Sequence, residues 1–192
     1  MSYLSNEMFL LLIVCAVVFL AGLSRRLFRG MSGIESTSIR RHRRMIRMAD
    51  QVLLKLGTIN GQGAQARKLL YLRKVSPYVF EELLLTAFEK NGCTVLRNKA
   101  YSGDGGIDGQ VIDAQGKHYL IQAKRYSKTI AKAHLLDFGA LVARKGTGGF
   151  FIHTGRTPSS LFVEANRLNI TILSGDRLLR MLTPLSPSNY KN

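Results

Sequence analysis

The sequence predicts an α/β fold: a mixed sheet flanked by helices in the order αβββαβαβα, preceded by a transmembrane helix and a basic helical segment. Three observations predict it. From Val75 onward, stretches of helical period alternate with short apolar runs, each bounded by Gly, Pro or Asn. Residues 107–124 hold two strand-like runs around a tight turn at Ala114-Gln115-Gly116-Lys117, the mark of a hairpin. The first thirty residues differ in kind, since Met8 to Leu23 (MFLLLIVCAVVFLAGL) carries no charge.

The apolar run comes first. A spanning helix needs about 20 apolar residues, with roughly 17 as the lower limit. Adding Leu4 and the polar Ser5 and Asn6 brings the run just to that length. Arg25, Arg26 and Arg29 follow it and only Glu7 precedes it, the reverse of a signal peptide. The positive-inside rule then puts the rest of the chain in the cytoplasm, as a single-pass protein of the inner membrane. A cleaved signal or a buried core helix is the plainer alternative.

Gly30 to Ser38 (GMSGIESTS) reads as a linker. Between Ser24 and Lys74 there are thirteen Lys/Arg against two acidic residues, which supplies +11 of the net charge of +16 over 192 residues. Met45, Ile46, Ala49, Val52, Leu53 and Leu56 recur at helical spacing within 37–56, and Gly57 supplies a stop. A second helical stretch covers 64–73, and the two form a basic hairpin. Such charge calls for an anionic partner, DNA phosphates or the anionic leaflet. A solvated stalk is the bland reading, and the place directly after the anchor favours the membrane or a mixture. The two cysteines, Cys15 and Cys93, exclude a disulfide framework and a Cys/His zinc pattern.

Ser76-Pro77 is a helix start, with Ser as cap and Pro in the first turn, and Gly92 ends that helix. On its wheel Phe80, Leu83, Leu84, Ala87 and Phe88 form the apolar face, while Glu82, Thr86 and Glu89 form the polar one. Glu81 falls at the edge of the apolar face, where it either snorkels to water or is held near the sheet. Strands follow over 94–99, 107–113 and 118–124. A helix over 130–144, a strand over 148–154, a helix over 158–167, a strand over 170–174 and a helix over 176–182 complete the order. The organisation is thus an anchor over 1–29, a basic helical linker over 30–74, a domain over 75–183 and a tail to residue 192.

Chemistry concentrates between Ala100 and Tyr126. Asp108 sits where Gly103-Asp104-Gly105-Gly106 feeds a strand, and regular structure aims it. Asp104 is the turn former. Gln122 and Lys124 are two apart, so they share a strand face, and Ala123 offers a backbone carbonyl. A lysine after Tyr119-Leu120-Ile121 needs a partner, and Asp108 on the neighbouring strand can provide it. A structural Lys–Asp pair is one reading. The other is a site for a metal, a water and a phosphodiester: Mg²⁺ takes oxygen ligands, and a lysine can stabilise developing charge.

Phe80-Glu81, Gly-Asp-Gly-Gly-Ile-Asp-Gly at 103–109, Ile121-Gln122-Ala123-Lys124-Arg125, Gly148 to Gly155 (GGFFIHTG) and Ile170 to Leu182 together resemble the Mrr-type restriction endonuclease domain, a branch of the PD-(D/E)xK nucleases. The resemblance covers about Val75 to Leu182. It implies a restriction-endonuclease-like core and Mg²⁺-dependent hydrolysis of DNA phosphodiesters. It makes Asp108 the metal-binding aspartate, Lys124 the catalytic lysine and Glu81 a helix-borne acid that assists the metal. Gln122 takes the place of the second acidic residue of the parent pattern. Arg125, Lys128, Lys132 and His134 are candidates for DNA backbone contact, Arg156 is a weaker one, and His153 reads as structural. The expected protein is a membrane-anchored DNA endonuclease acting on foreign or modified DNA, with a homodimer expected because cutting both strands calls for two active sites. The alternatives are a non-catalytic DNA-binding or scaffold protein with the same fold, and a structural membrane protein whose basic segment binds lipid.

Overall fold

The computed structural model describes residues 39–98 and 106–183. The chain divides into two compact units, Met1–Arg43 and Arg44–Asn192. Of the first unit, residues 39–43 are described, and they are helical. The expected span Met8–Leu23, the linker 30–38, the turn 103–105 and the tail from 184 lie outside the described residues. Among the described residues no helix is long and apolar enough to cross a membrane.

Helix α1 is described over 39–58. It is followed by α2 (Ala64–Lys74), α3 (Pro77–Lys90), β1 (Thr94–Leu96), β2 (Gly109–Ile112), β3 (His118–Lys124), α4 (Lys132–Lys145), β4 (Gly148–His153), α5 (Ser159–Arg167), β5 (Ile170–Leu173) and α6 (Gly175–Leu182). From α3 on, this is the order read from the sequence. The five strands form one sheet in sequence order. β1, β2 and β3 are antiparallel neighbours, and β3, β4 and β5 are parallel. The sheet is therefore mixed, and the end where β2 begins is the end where β3 finishes.

The two-residue period of the strands sorts side chains between two cores. Tyr119, Ile121 and Ala123 of β3, with Phe150 and Ile152 of β4, join α3, α6 and the α1–α2 pair. Leu120 and Phe151 turn the other way and pack with Leu135, Phe138 and Val142 of α4 and Leu161 and Ala165 of α5. Ala49, Val52, Leu53 and Leu56 of α1 and Leu72 of α2 are buried in the first core. The structure thus places residues 44–74 in the same compact unit as the α/β domain, where the sequence suggested a linker. Apart from Arg73, whose guanidinium turns inward to Thr154 O, their basic side chains are exposed or half-buried, and their apolar stripe closes the core over α3.

That closure explains a correction on α3. The wheel gave Glu82, Thr86 and Glu89 a solvent face, yet Glu82 is only 1 % exposed and Thr86 is buried. Helices on one side and the sheet on the other leave α3 little surface. Glu82 is accommodated by Arg97, whose Nε donates to its Oε1 at 2.6 Å, while Nη2 donates to Glu89 Oε2 at 2.8 Å. The start of α3 follows expectation: Ser76 Oγ accepts from the Val79 N–H at 3.3 Å, and Pro77 opens the helix.

Three element ends fall two or three residues inside the bounds the sequence suggested. β1 stops at Leu96 because Arg97 turns in to Glu82, and the Asn98 side chain donates to the Ile107 carbonyl at 2.7 Å. β2 begins at Gly109, although the Asp108 N–H already donates to Ile121 O at 2.8 Å. α4 begins at Lys132 because Ile130 is still extended, its N–H donating to Arg156 O at 3.1 Å.

Candidate active site

A cavity of about 260 Å³ opens where β2 starts and β3 ends, lined by Pro77, Phe80, Glu81, Asp108, Ala123, Lys124 and Arg125. Glu81 arrives from the second turn of α3, Asp108 from the lead-in to β2, and Ala123 and Lys124 from the last two positions of β3. Pro77 and Phe80 form an apolar wall that strengthens electrostatic interactions inside. The structure therefore brings together Glu81, Asp108, Ala123 and Lys124, all singled out from the sequence. It decides the alternative at Glu81 in favour of a side chain held near the sheet.

Asp108 is oriented by a backbone bond, and both acids are partly buried. Asp108 Oδ2 accepts the Ala123 N–H at 2.6 Å, which extends the β2–β3 ladder by one side-chain bond and fixes the carboxylate. Burial raises the Asp108 pKa, against the opposing pull of the Ala123 N–H and the Lys124 charge. Burial, helped by the Asp108 charge, pushes Glu81 up to about 7, while Lys124 and Arg125 pull the other way. Lys124 makes no ion pair within 4.0 Å among the described residues. Its charge nonetheless acts on both acids, so the simple Lys124–Asp108 salt bridge is not what the structure shows.

Gln122 lies outside the cavity lining. Its Nε2 donates to Gly106 O at 2.9 Å, and its buried Oε1 has no hydrogen-bond partner among the described residues. Gly106 has φ of 91°, a left-handed conformation open to glycine, and a Cβ there would sit 3.1 Å from Gln122 Nε2. Gln122 thus holds the loop that delivers Asp108.

The residues expected at a DNA backbone divide. Lys128 and Lys132 are exposed. His134 is exposed too, but its Nδ1 hydrogen-bonds the Tyr126 hydroxyl and its ring stacks on Tyr126 at 5.9 Å. Arg125 directs Nη1 at the carbonyls of Arg73 (3.2 Å) and Val75. His153 is structural as expected: it is fully buried, and burial lowers its pKa to about 4. Its Nδ1 accepts the Gly155 N–H at 3.1 Å, and Nε2 meets Thr157 Oγ1 at 2.9 Å. Sequence reasoning missed Arg73 and Arg97, whose partners lie 81 and 15 residues away.

No group of three or more His, Cys, Asp or Glu able to hold a metal occurs among the described residues. The oxygen donors lining the cavity are the Glu81 and Asp108 carboxylates and the Ala123 carbonyl. That set fits a hard divalent cation and not zinc or copper. Two acids raised together in one cavity also favour a positive charge between them.

The sign of the Glu81 shift gives a stability prediction. The folded state holds a proton that the unfolded chain releases, so stability falls as pH rises from about 4.5 to about 7. Glu81→Gln removes that penalty. In metal-free urea melts the variant should gain about 1 kcal/mol at pH 8, less than the full shift implies because water screens a partly exposed group. The gain should vanish near pH 4, and parallel pH curves would show that Glu81 is not perturbed.

An α/β core with a mixed five-stranded sheet, and two carboxylates and a lysine at one end of it, defines a restriction-endonuclease-like nuclease domain. The restriction endonuclease family Mrr_cat matches residues 72–182, and the chain belongs to that family. No curated protein matches the chain. Among solved structures, the MspJI restriction endonuclease in complex with a 27-mer oligonucleotide is similar, with 21% identity and a TM-score of 0.47 over 68% of this chain. The likeness spans 34% of the length of the MspJI chain.

Proposed function

We propose that the protein is a Mg²⁺-dependent DNA endonuclease, tethered by residues 1–29 to the inner membrane with its nuclease domain in the cytoplasm. The observation that carries the nuclease reading is the meeting of Glu81, Asp108, Ala123 and Lys124 in one cavity. Glu81, Asp108 and the Ala123 carbonyl would hold the cation, with Gln122 behind them. When bound, the cation supplies charge neutralisation at the phosphate and a more acidic water.

The chain's own residues account for the rest. The Ala123 N–H keeps Asp108 oriented, so the site is formed before substrate arrives. Pro77 and Phe80 exclude bulk water from one wall. Lys124 Nζ donates to the phosphate oxygens as charge grows on them; the water oxygen bonds to phosphorus and gives up a proton to solvent, the P–O bond to the leaving sugar oxygen breaks, and that oxygen takes up a proton from solvent. Lys128, Lys132 and His134 meet the backbone of the duplex and carry no sequence information. Cutting both strands calls for two such sites, hence two copies. The net charge of +16 supports an anionic partner, and the run of thirteen basic residues among 24–74 supports contact with DNA or the anionic leaflet.

The test compares the full chain with Lys124→Ala on duplex DNA, methylated and unmethylated, in Mg²⁺. The variant should lose about 10²–10³-fold in cleavage rate with DNA binding retained. Equal cleavage by the two proteins, or none by either, would leave a DNA-binding scaffold as the better account.

A further inference from the structure

Arg73 belongs to α2, outside the cavity lining, and its guanidinium is nonetheless tied into the segment that carries Lys124. Nε and Nη2 both donate to Thr154 O, at 3.2 and 2.8 Å. Thr154 in turn donates its N–H to Lys124 O at 3.3 Å and its Oγ1 to Tyr126 O at 2.9 Å. Between those two carbonyls lies Arg125, whose Nη1 returns to the carbonyls of Arg73 and Val75. The bonds close a ring: α2 to the end of β4, β4 to the end of β3, and β3 back to the turn that starts α3 at Pro77.

The ring spans the two halves of the site. Glu81 rides on α3, and Arg125 holds the Val75 carbonyl directly before its Ser76 cap. Lys124 rides on β3, whose last residues are set by Thr154. We propose that Arg73 is a positioning residue which, with Arg125, fixes the spacing between Glu81 and Lys124 across the cavity. This rests on the nuclease reading of that cavity.

Three features favour this over a generic fold contact. Arg125 uses the carbonyls of Arg73 and Val75 at the end of α2, where a helix leaves such groups unsatisfied, so its cost of burial is offset locally. Arg73 brings two N–H groups to one oxygen, a geometry a lysine ammonium does not copy. The joint also admits no slack at its far side. A Cβ on Gly155 would collide with Lys128 O and lie 2.6 Å from Tyr126 Cβ, so the chain just after β4 is packed tightly on the 126–128 segment there.

The experiment uses the full chain in detergent micelles: wild type, Arg73→Gln, Arg73→Lys and Lys124→Ala. It measures cleavage kinetics on duplex DNA, Mg²⁺ binding by titration calorimetry, and amide exchange over 76–81 and 124–126. For Arg73→Gln, kcat should fall roughly tenfold or more and Mg²⁺ affinity should weaken severalfold, as when groups that orient metal ligands are removed. KM for DNA should stay within about twofold. Exchange should rise in both segments, and Arg73→Lys should fall between wild type and Arg73→Gln. A rise in KM at constant kcat would make Arg73 a DNA contact and overturn the proposal, as would unchanged kcat and Mg²⁺ affinity. If wild type and Lys124→Ala are equally inactive, the nuclease reading fails by itself. Amide exchange then decides the strap: faster exchange in both segments of Arg73→Gln supports it, and unchanged exchange overturns it.

Discussion

Asp108→Asn is expected to abolish cleavage, a loss on the order of 10⁴-fold for a group that works as a unit with its neighbours, while leaving the fold intact. The substitution is isosteric. Asn keeps a side-chain oxygen that can accept the Ala123 N–H, the bond that Asp108 makes at 2.6 Å. What disappears is the charge, and the site has only two described carboxylates to begin with. Mg²⁺ binding measured by calorimetry should drop below detection. Stability should move the other way. Burial raises the Asp108 pKa, so neutralising it relieves a penalty at neutral pH. Glu81, whose pKa the Asp108 charge helps to raise, should titrate lower in the variant, as carboxyl NMR can show. Mg²⁺ affinity within about twofold of wild type would move the cation away from Asp108.

The parts of the fold that were legible in the sequence are those set by near neighbours. β3 matches its expected bounds, and the turn before it is written in Asp113, whose Oδ1 accepts the N–H groups of Gln115 and Lys117 at 2.9 Å. Ser76-Pro77 marks the start of α3 for the same local reason. Asp108, Ala123 and Lys124 were legible because a hairpin of known turn length fixes which residues share an end. Glu81 was legible only as an edge residue, since a wheel gives an angle and not what covers the helix.

The misses have one cause. The burial of Glu82 and Thr86 depends on α1 and α2 closing over α3, and nothing in the period of α3 reports that. Those two helices looked like a basic linker because their charges outnumber their core residues. Yet Ala49, Val52, Leu53 and Leu56 of α1 already repeat at core spacing, and reading that stripe as core would have joined the helix to the domain. Arg73 and Arg125 illustrate the other side. An arginine near a nuclease motif reads as a phosphate ligand, and sequence alone carries no sign that carbonyls 50 or 81 residues away already occupy its donors.

Stability and chemistry also pull apart in this domain in a way that can be measured. Glu81 and Asp108 are both held protonated more readily than in water, so these two acids contribute more stability to the metal-free protein in mild acid than at pH 8, against the buried His153, whose lowered pKa favours the higher pH. A cation reverses that preference by favouring the charged acids, and binding to the native state alone adds stability by mass action. The site is therefore a place where the fold gives up stability that its ligand can restore.

Arg97→Met should produce the largest loss of stability, about 3 kcal/mol, because it removes one member of a buried ion pair. Glu82 is 1 % exposed in the middle of α3, and Arg97 is its partner at 2.6 Å. Burial works to lower the Arg97 pKa, but hydrogen bonds to Glu89 and Glu82 outweigh it, so the guanidinium stays charged. Take it away and the buried Glu82 carboxylate loses the guanidinium that meets it at 2.6 Å, on the helix that carries Glu81. Urea melts measure the cost, and a double variant, Glu82→Leu with Arg97→Met, separates pairing from packing. If the pair exists to neutralise a buried charge, the double variant should recover most of the loss. If it did not, the penalty would lie in the methylenes of Arg97 that pack on α3. Activity supplies an independent reading. Arg97 precedes Asn98, whose side chain holds the Ile107 carbonyl one residue before Asp108. Loss of Arg97 should therefore loosen the approach to Asp108 and weaken Mg²⁺ binding even in the double variant with stability restored. Wild-type Mg²⁺ affinity in that variant would confine Arg97 to the core.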